Sequence, residues 1–185
     1  MIHTDKITNI IFDIGRVLVN FEPEAFLQDL FSDPEIRQAV YKAVFSSPEW
    51  LMLDRGVIYE QQAVEIIGKQ YPQLASQVAK IFPAWHRILT PITTTVELLP
   101  KLKDSGYSLY LLSNFHNEAF AFIHQSYDWF KYFDGSVISY QVGYLKPEVE
   151  IYTALITKYN LEPEKTLFID DTPANLVAAS KLGIT

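Results

Sequence analysis

The chain reads as an α/β protein in which a parallel sheet, covered by helices on both faces, is interrupted after its first strand by an all-helical insertion. Three features carry that reading. The run IIFDIGRVLV over 10–19 leads one acid, Asp13, out of the end of an apolar strand. A polar stretch with helical spacing separates it from the next strand, and from Thr90 onward strands and helices alternate, each strand ending in a polar group. With 49% hydrophobic and 14% aromatic residues among 185, the chain can bury one full core and carry an insertion.

The first strand is expected over 7–13, where Ile7, Ile10, Ile11 and Phe12 suit burial on both faces of a parallel sheet. Asp13 at its carboxyl end either caps the following turn or meets a partner, and open α/β sheets take their ligands at that edge. Apolar residues then recur at helical intervals over 23–31, 34–45 and 60–71, with Pro23 and Pro34 suited to first turns and Asp33 to an N-cap. An insertion this long exceeds an ordinary strand-to-helix connection, and beside a site it reads as a lid or cap. The expected division is a core of 1–19 and 88–185 with a cap of 20–87.

Beyond the cap, a helix over 93–105, disturbed at Pro100, leads through Gly106 to a strand over 107–112 that ends in Ser113 and Asn114. A helix over 118–127, a strand over 136–139 and a loop over 140–147 follow. After a helix ending at Asn160, the strand 166–169 delivers Asp170 and Asp171, and Thr172 with Pro173 starts the last helix, stopped by Gly183. Right-handed crossovers bring all these strand ends to one edge.

The net charge of −7, with no Lys/Arg cluster, argues against general binding to nucleic acid or anionic membranes, so any phosphate site must be local. Without Cys there is no disulfide, thiolate nucleophile or Cys-ligated metal. No signal peptide and no membrane-length apolar run are evident, and a cytoplasmic protein is expected.

Together the strand ends supply a possible nucleophile in Asp13, a hydroxyl in Ser113, an amide in Asn114, a cation in Lys146 and adjacent carboxylates in Asp170 and Asp171. Convergent carboxylates without His or Cys suit Mg2+. A phosphate bound there meets the cation, the Ser113 hydroxyl and the Asn114 amide, with Asp13 in position to attack phosphorus.

These residues, in this order, resemble the four motifs of the haloacid dehalogenase-like hydrolases. FDIGRVL, Arg55-Gly56, LLSN, VGYLKPE and FIDDTPANL are similar to the subgroup with a helical cap that includes bacterial glucose-1-phosphate phosphatases. The resemblance implies a Rossmann-like three-layer core and a Mg2+-dependent phosphomonoesterase of a small phosphorylated metabolite, with sugar phosphates ahead of flavin mononucleotide and other nucleotides. It makes Asp13 nucleophile and metal ligand, the Gly15 carbonyl a further metal ligand, Ser113 a phosphate ligand and Lys146 the bridge between nucleophile and phosphate. Asp171 is expected on the metal directly, with Asp170 acting through water and supporting Lys146, an order that could be reversed. Asn175 would brace their loop.

Two features depart from the family pattern. Gly15 stands where most superfamily phosphatases carry an acid that protonates the leaving group, and the chain ends at Thr185 where relatives continue into another strand. Substrate choice falls to the cap: Trp50, Asp54, Arg55, Trp85 and His86, with His116 beside the second motif, are candidates to face the site, although Trp50 and Trp85 equally suit core packing and His86 a helix surface. Two other readings compete: a metal-independent L-2-haloacid dehalogenase, which has no use for the acidic pair, and a phospho-ligand binding homologue without turnover.

Overall fold

A computed structural model of the chain describes residues 7–185, so positions 1–6 of the expected core lie outside it. Four parallel strands, β1 (Asn9–Phe12), β2 (Ser108–Ser113), β3 (Gly135–Ile138) and β4 (Thr166–Ile169), form one sheet in the order β3-β2-β1-β4. The central β1 pairs Asn9 with Ser108 on one side and with Thr166 on the other. Because the chain builds outward to β3 and then returns to the far side of β1, the direction of winding reverses beside Asp13. Such a reversal opens a crevice at the carboxyl ends of the strands.

After β1 come α1 (Pro23–Leu30), α2 (Pro34–Ala43), α3 (Pro48–Asp54), α4 (Glu60–Gln70) and α5 (Ala75–Ile81), the helical insertion. Asp33 caps α2 as expected, accepting the N–H groups of Glu35 and Ile36. The short α3 and α5, seven residues each, are too brief to show a periodic stripe in sequence. The two connections between insertion and core run side by side: Asn20 N–H donates to Thr90 O at 2.7 Å, and Ile92 N–H to Leu18 O at 2.8 Å.

The core continues with α6 (Thr93–Val96) and α7 (Leu98–Asp104), one expected helix divided before Pro100. Then follow α8 (Asn117–Ser126) after β2, α9 (Ser139–Val142) in the loop after β3, α10 (Val149–Tyr159), and α11 (Pro173–Ser180) after β4.

Side chains alternate across the sheet as its double burial requires. Ile10, Phe12, Leu109 and Leu111 join an apolar cluster that runs on into the cap through Leu27, Val40, Leu53 and Ile67. Ile11, Tyr110, Leu112 and Phe168 pack on the other face against Ile151, Tyr152 and Leu155 of α10 and Ala179 of α11. The last residue lies along the outer edge of β4, where Thr185 N–H donates to Thr166 O at 3.0 Å and its carbonyl accepts Phe168 N–H at 2.8 Å. No helix among the described residues is long and apolar enough to cross a membrane.

The cap is seated on the core at one crowded point. Gly56 has φ +74, and a Cβ there would lie 2.4 Å from the Tyr140 carbonyl oxygen. Only glycine allows that approach and that backbone conformation together.

Candidate active site

The end of β1 is held against β4, with the Asp13 N–H donating to Ile169 O at 2.9 Å. One oxygen of its side chain, Oδ1, receives Ser113 Oγ at 2.6 Å, the Ile14 N–H at 2.7 Å and Lys146 Nζ at 2.8 Å. Ser113 is the final residue of β2, the strand paired with β1, and it reaches Asp13 from one position beyond the register set by Phe12 and Leu111. Lys146 reaches in from the loop after α9, and its ammonium bridges Asp13 to Asp170 Oδ2 at 2.6 Å. A lysine side chain only 1% exposed must have its ammonium paired in this way.

Asn114 secures that lysine. Its Nδ2 donates to Lys146 O at 3.0 Å, and its Oδ1 accepts Lys146 N–H at 2.7 Å. The side-chain amide thus orients the Lys146 loop, from a residue that also lines the cavity between core and cap.

Asp170 is fully enclosed by donors. Oδ1 accepts Thr172 N–H at 2.8 Å, Oδ2 accepts Lys146, and Asn175 Nδ2 spans both oxygens at 2.9 and 3.1 Å. Asp171 is the freer acid, accepting the Thr172 hydroxyl at 3.3 Å and lying 3.9 Å from Arg16. One oxygen each of Asp13, Asp170 and Asp171 lies within 4.8 Å of the others. Burial, helped by the Asp170 charge, pushes the Asp13 carboxyl above its usual range despite the opposing pull of Lys146 and Ser113.

A cavity of about 120 Å³ separates this edge from the cap. Gly15, Asn114 and Phe115 form its core side; Phe21, Trp50, Asp54 and Trp85 line it from the insertion. A Cβ built on Gly15 would meet nothing within 4 Å, so a side chain has room there. His116 also lines the cavity and is itself 1% exposed. Its Nδ1 lies 3.2 Å from Asp54 Oδ1 and its Nε2 3.2 Å from Glu60 Oε1. Burial opposes its charge, but these two carboxylates outweigh that and lift the imidazole to about 9.

Glu60 Oε1 also accepts Trp85 Nε1 at 2.8 Å and meets His86 Nε2 at 2.9 Å. Although burial works against its charge, the His116, His86 and Trp85 hydrogen bonds hold the carboxyl down at about 2. In sequence Glu60 is an unremarked first-turn acid; only folding of the cap onto α8 turns it into a hub. Trp50 packs between Phe45 and Trp85, with ring centroids 4.9 and 5.0 Å away, and still contributes to the cavity wall.

Arg55 is not brought to the cavity. Its guanidinium forms a fork with the Glu148 carboxylate and donates to Gly143 O at 2.9 Å. The expectation that it faces substrate is corrected: just after the end of α3, it ties the cap to the loop carrying Lys146.

A parallel sheet wound both ways from β1, with carboxylates and a buried lysine at its carboxyl edge and a helical cap above, defines a capped α/β hydrolase. The chain belongs to the haloacid dehalogenase-like hydrolases, whose family model matches residues 7–183. It is 27% identical over 175 residues to a sesquiterpene phosphatase of Aspergillus oryzae, covering 94% of this chain and 85% of that protein. It is also 27% identical over 192 residues to a D-ribitol-5-phosphate phosphatase of Bacteroides thetaiotaomicron, covering 96% of this chain and 89% of the relative. Among solved structures it resembles a haloacid dehalogenase family enzyme of Bacteroides thetaiotaomicron in complex with magnesium and inorganic phosphate. The TM-score is 0.75 at 26% identity, over 97% of this chain and 92% of the other.

Proposed function

We propose that the chain is a Mg2+-dependent phosphomonoesterase that forms an aspartyl phosphate on Asp13, and that residues 20–87 act as its specificity cap. The observation that carries this reading is Lys146 held between Asp13 and Asp170, with Ser113 on the same Asp13 oxygen. Lys146 and the Ser113 hydroxyl fix the attacking carboxylate and stand ready to donate to phosphoryl oxygens. Asp13 attacks phosphorus as the P–O bond to the leaving group breaks; water then hydrolyses the acyl phosphate and regenerates the carboxylate.

The donor set fits a hard cation. One oxygen each of three acids gathers within 4.8 Å, two of them sharing the buried Lys146, and burial with the Asp170 charge leaves Asp13 raised despite that lysine. Asp13, the Gly15 carbonyl and the freer Asp171 are the proposed direct ligands, with Asp170, already surrounded by donors, acting through water. Bound Mg2+ would supply charge neutralisation at the phosphoryl oxygens.

The cavity supports a small, neutral, hydroxylated leaving group, a sugar or short polyol, in line with the substrate named for the D-ribitol-5-phosphate phosphatase. Its volume of about 120 Å³ equals roughly four water molecules of liquid. The cation nearest the cavity, His116, is committed to Asp54 and Glu60, and Arg55 to Glu148. A second phosphate or carboxylate would therefore find no counter-charge there. Asp54 and Trp50 remain as the cap groups offered to the substrate.

The test is phosphate release from a panel of sugar, polyol and nucleotide monophosphates, with Mg2+ or with EDTA, for wild type and Asp13→Asn. Metal-dependent release that disappears in Asp13→Asn is expected. Phosphate release unaffected by the substitution would remove Asp13 from the chemistry, and chloride release from 2-chloropropionate without metal would move the protein to the dehalogenases.

A further inference from the structure

On the far side of His116 from the Asp13 edge, three segments distant in sequence place metal-binding atoms together. Glu60 opens α4 in the cap, His86 lies in the single turn Trp85–Ile88 where the cap returns to the core, and His116 precedes α8. Glu60 Oε1 lies 2.9 Å from His86 Nε2 and 3.2 Å from His116 Nε2. One ligand atom from each of the three falls within 4.8 Å of the others. We propose that Glu60, His86 and His116 form a second divalent-metal site, of the zinc type, which clasps the cap to the core.

The donor chemistry differs from that at Asp13. Two imidazole nitrogens and one carboxylate oxygen, with a fourth position open to water, suit Zn2+, whereas an all-oxygen set suits Mg2+. The surrounding groups are those that support a metal site. Asp54 Oδ1 sits 3.2 Å from His116 Nδ1, the arrangement in which a carboxylate fixes the ring and its tautomer so that Nε2 is offered to the metal. Trp85 Nε1 donates to Glu60 Oε1 at 2.8 Å and orients that carboxylate. On binding, the His116 and His86 contacts to Glu60 are exchanged for bonds to the metal, the Nε2 protons leave to solvent, and His116 keeps its Nδ1–H on Asp54.

The site also has an entrance. The Glu60 and His86 side chains are 14% and 20% exposed, and both line a surface hollow of about 400 Å³ with Val64, Phe82 and Pro83. Because His116 also walls the substrate cavity, a metal here would fix the roof of that cavity as well as the seating of the cap.

The experiment is titration of the full chain with Co2+ in saturating Mg2+, which occupies the oxygen site, followed by displacement with Zn2+. It needs no turnover, so its result is independent of the phosphatase reading. A single equivalent of Co2+ is expected to give the visible absorption of a low-coordinate ion, and Zn2+ to abolish it and raise the melting temperature. His86→Ala should eliminate the band, with His86→Gln as the size-conserving partner should the alanine variant not fold. Asp54→Asn should weaken binding roughly ten- to a hundredfold. Absence of the band in wild type, or its persistence undiminished in both His86 variants, would overturn the proposal.

Discussion

Asp13, at the carboxyl edge of the sheet, and Glu60, at the start of α4, are carboxylates with side chains 11% and 14% exposed and three donors gathered on a single oxygen of each. Their titration nonetheless moves in opposite directions, Asp13 upward and Glu60 down to about 2. Burial opposes the charge of both, and more strongly that of Asp13; what differs besides is whether the surrounding donors outweigh it. Asp13 shares its one cation with Asp170, whose charge adds to the burial that raises it, and Lys146 and Ser113 do not outweigh the two. Glu60 faces two imidazoles and an indole N–H. In the proposed reaction the first carboxylate receives the cation and phosphate, while the second, with three donors on one oxygen, joins the cap to α8.

Paired substitutions break this comparison most sharply. Asp13→Asn is expected to lower phosphate release by roughly ten-thousandfold or more, as for loss of other nucleophiles, while the protein stays folded because a charge leaves a crowded cluster. Glu60→Gln should do the reverse, destabilising by roughly 3 kcal/mol as a buried imidazolium loses a partner. Turnover is measured by phosphate release and stability by urea unfolding. Equal stability losses in the two variants would show that the clusters do not differ in kind.

Lys146→Met removes the cation that Asp13 and Asp170 share. The expected loss is roughly a hundred- to a thousandfold in kcat, the scale of one preorganised donor to developing charge. A change confined to KM would mean that the lysine binds substrate without acting in the transition state.

Gly15→Asp sharpens the contrast from the other side by placing an acid in the space beside the reactive carboxylate. Gly15 has an ordinary backbone conformation and an empty Cβ position, so the substitution meets no steric obstacle. A positioned general acid contributes roughly a hundredfold or more for poor leaving groups. The expected gain is therefore largest for alkyl phosphates and small for p-nitrophenyl phosphate, whose phenolate leaves without a proton. A uniform gain, or none, would show that leaving-group protonation does not limit the wild-type rate.

The two clusters also differ in how far the sequence reveals them. Asp13, Ser113 and Asp170 end strands or directly follow them, so an apolar run and its terminus locate each one, and parallel pairing brings them together. Lys146 was legible through YLKPE, but its clamp by Asn114 depends on how the loop after β3 folds over β2. In the cap the useful signals fail. Arg55 and Glu148 are 93 positions apart, and Glu60 meets His86 and His116 only after α4 docks beside α8. No local periodicity encodes such contacts, which arise from tertiary packing.

The smallest effect is a pH dependence of stability belonging to the cap cluster alone. The His116 imidazole titrates at about 9 against an ordinary 6.5, so its contribution is complete below about 6.5 and is lost as pH rises through 9. Glu60 titrates at about 2 against 4.5, so its share is present above 4.5 and is lost as pH falls through 2. In EDTA the melting temperature should therefore decline between pH 6.5 and 9 more steeply in wild type than in His116→Gln, which has no proton to lose. Both profiles should share the acid limb set by other carboxylates. If the alkaline limbs run parallel, His116 is not charged in the folded protein, and the paired cation that joins Asp54 to Glu60 is absent.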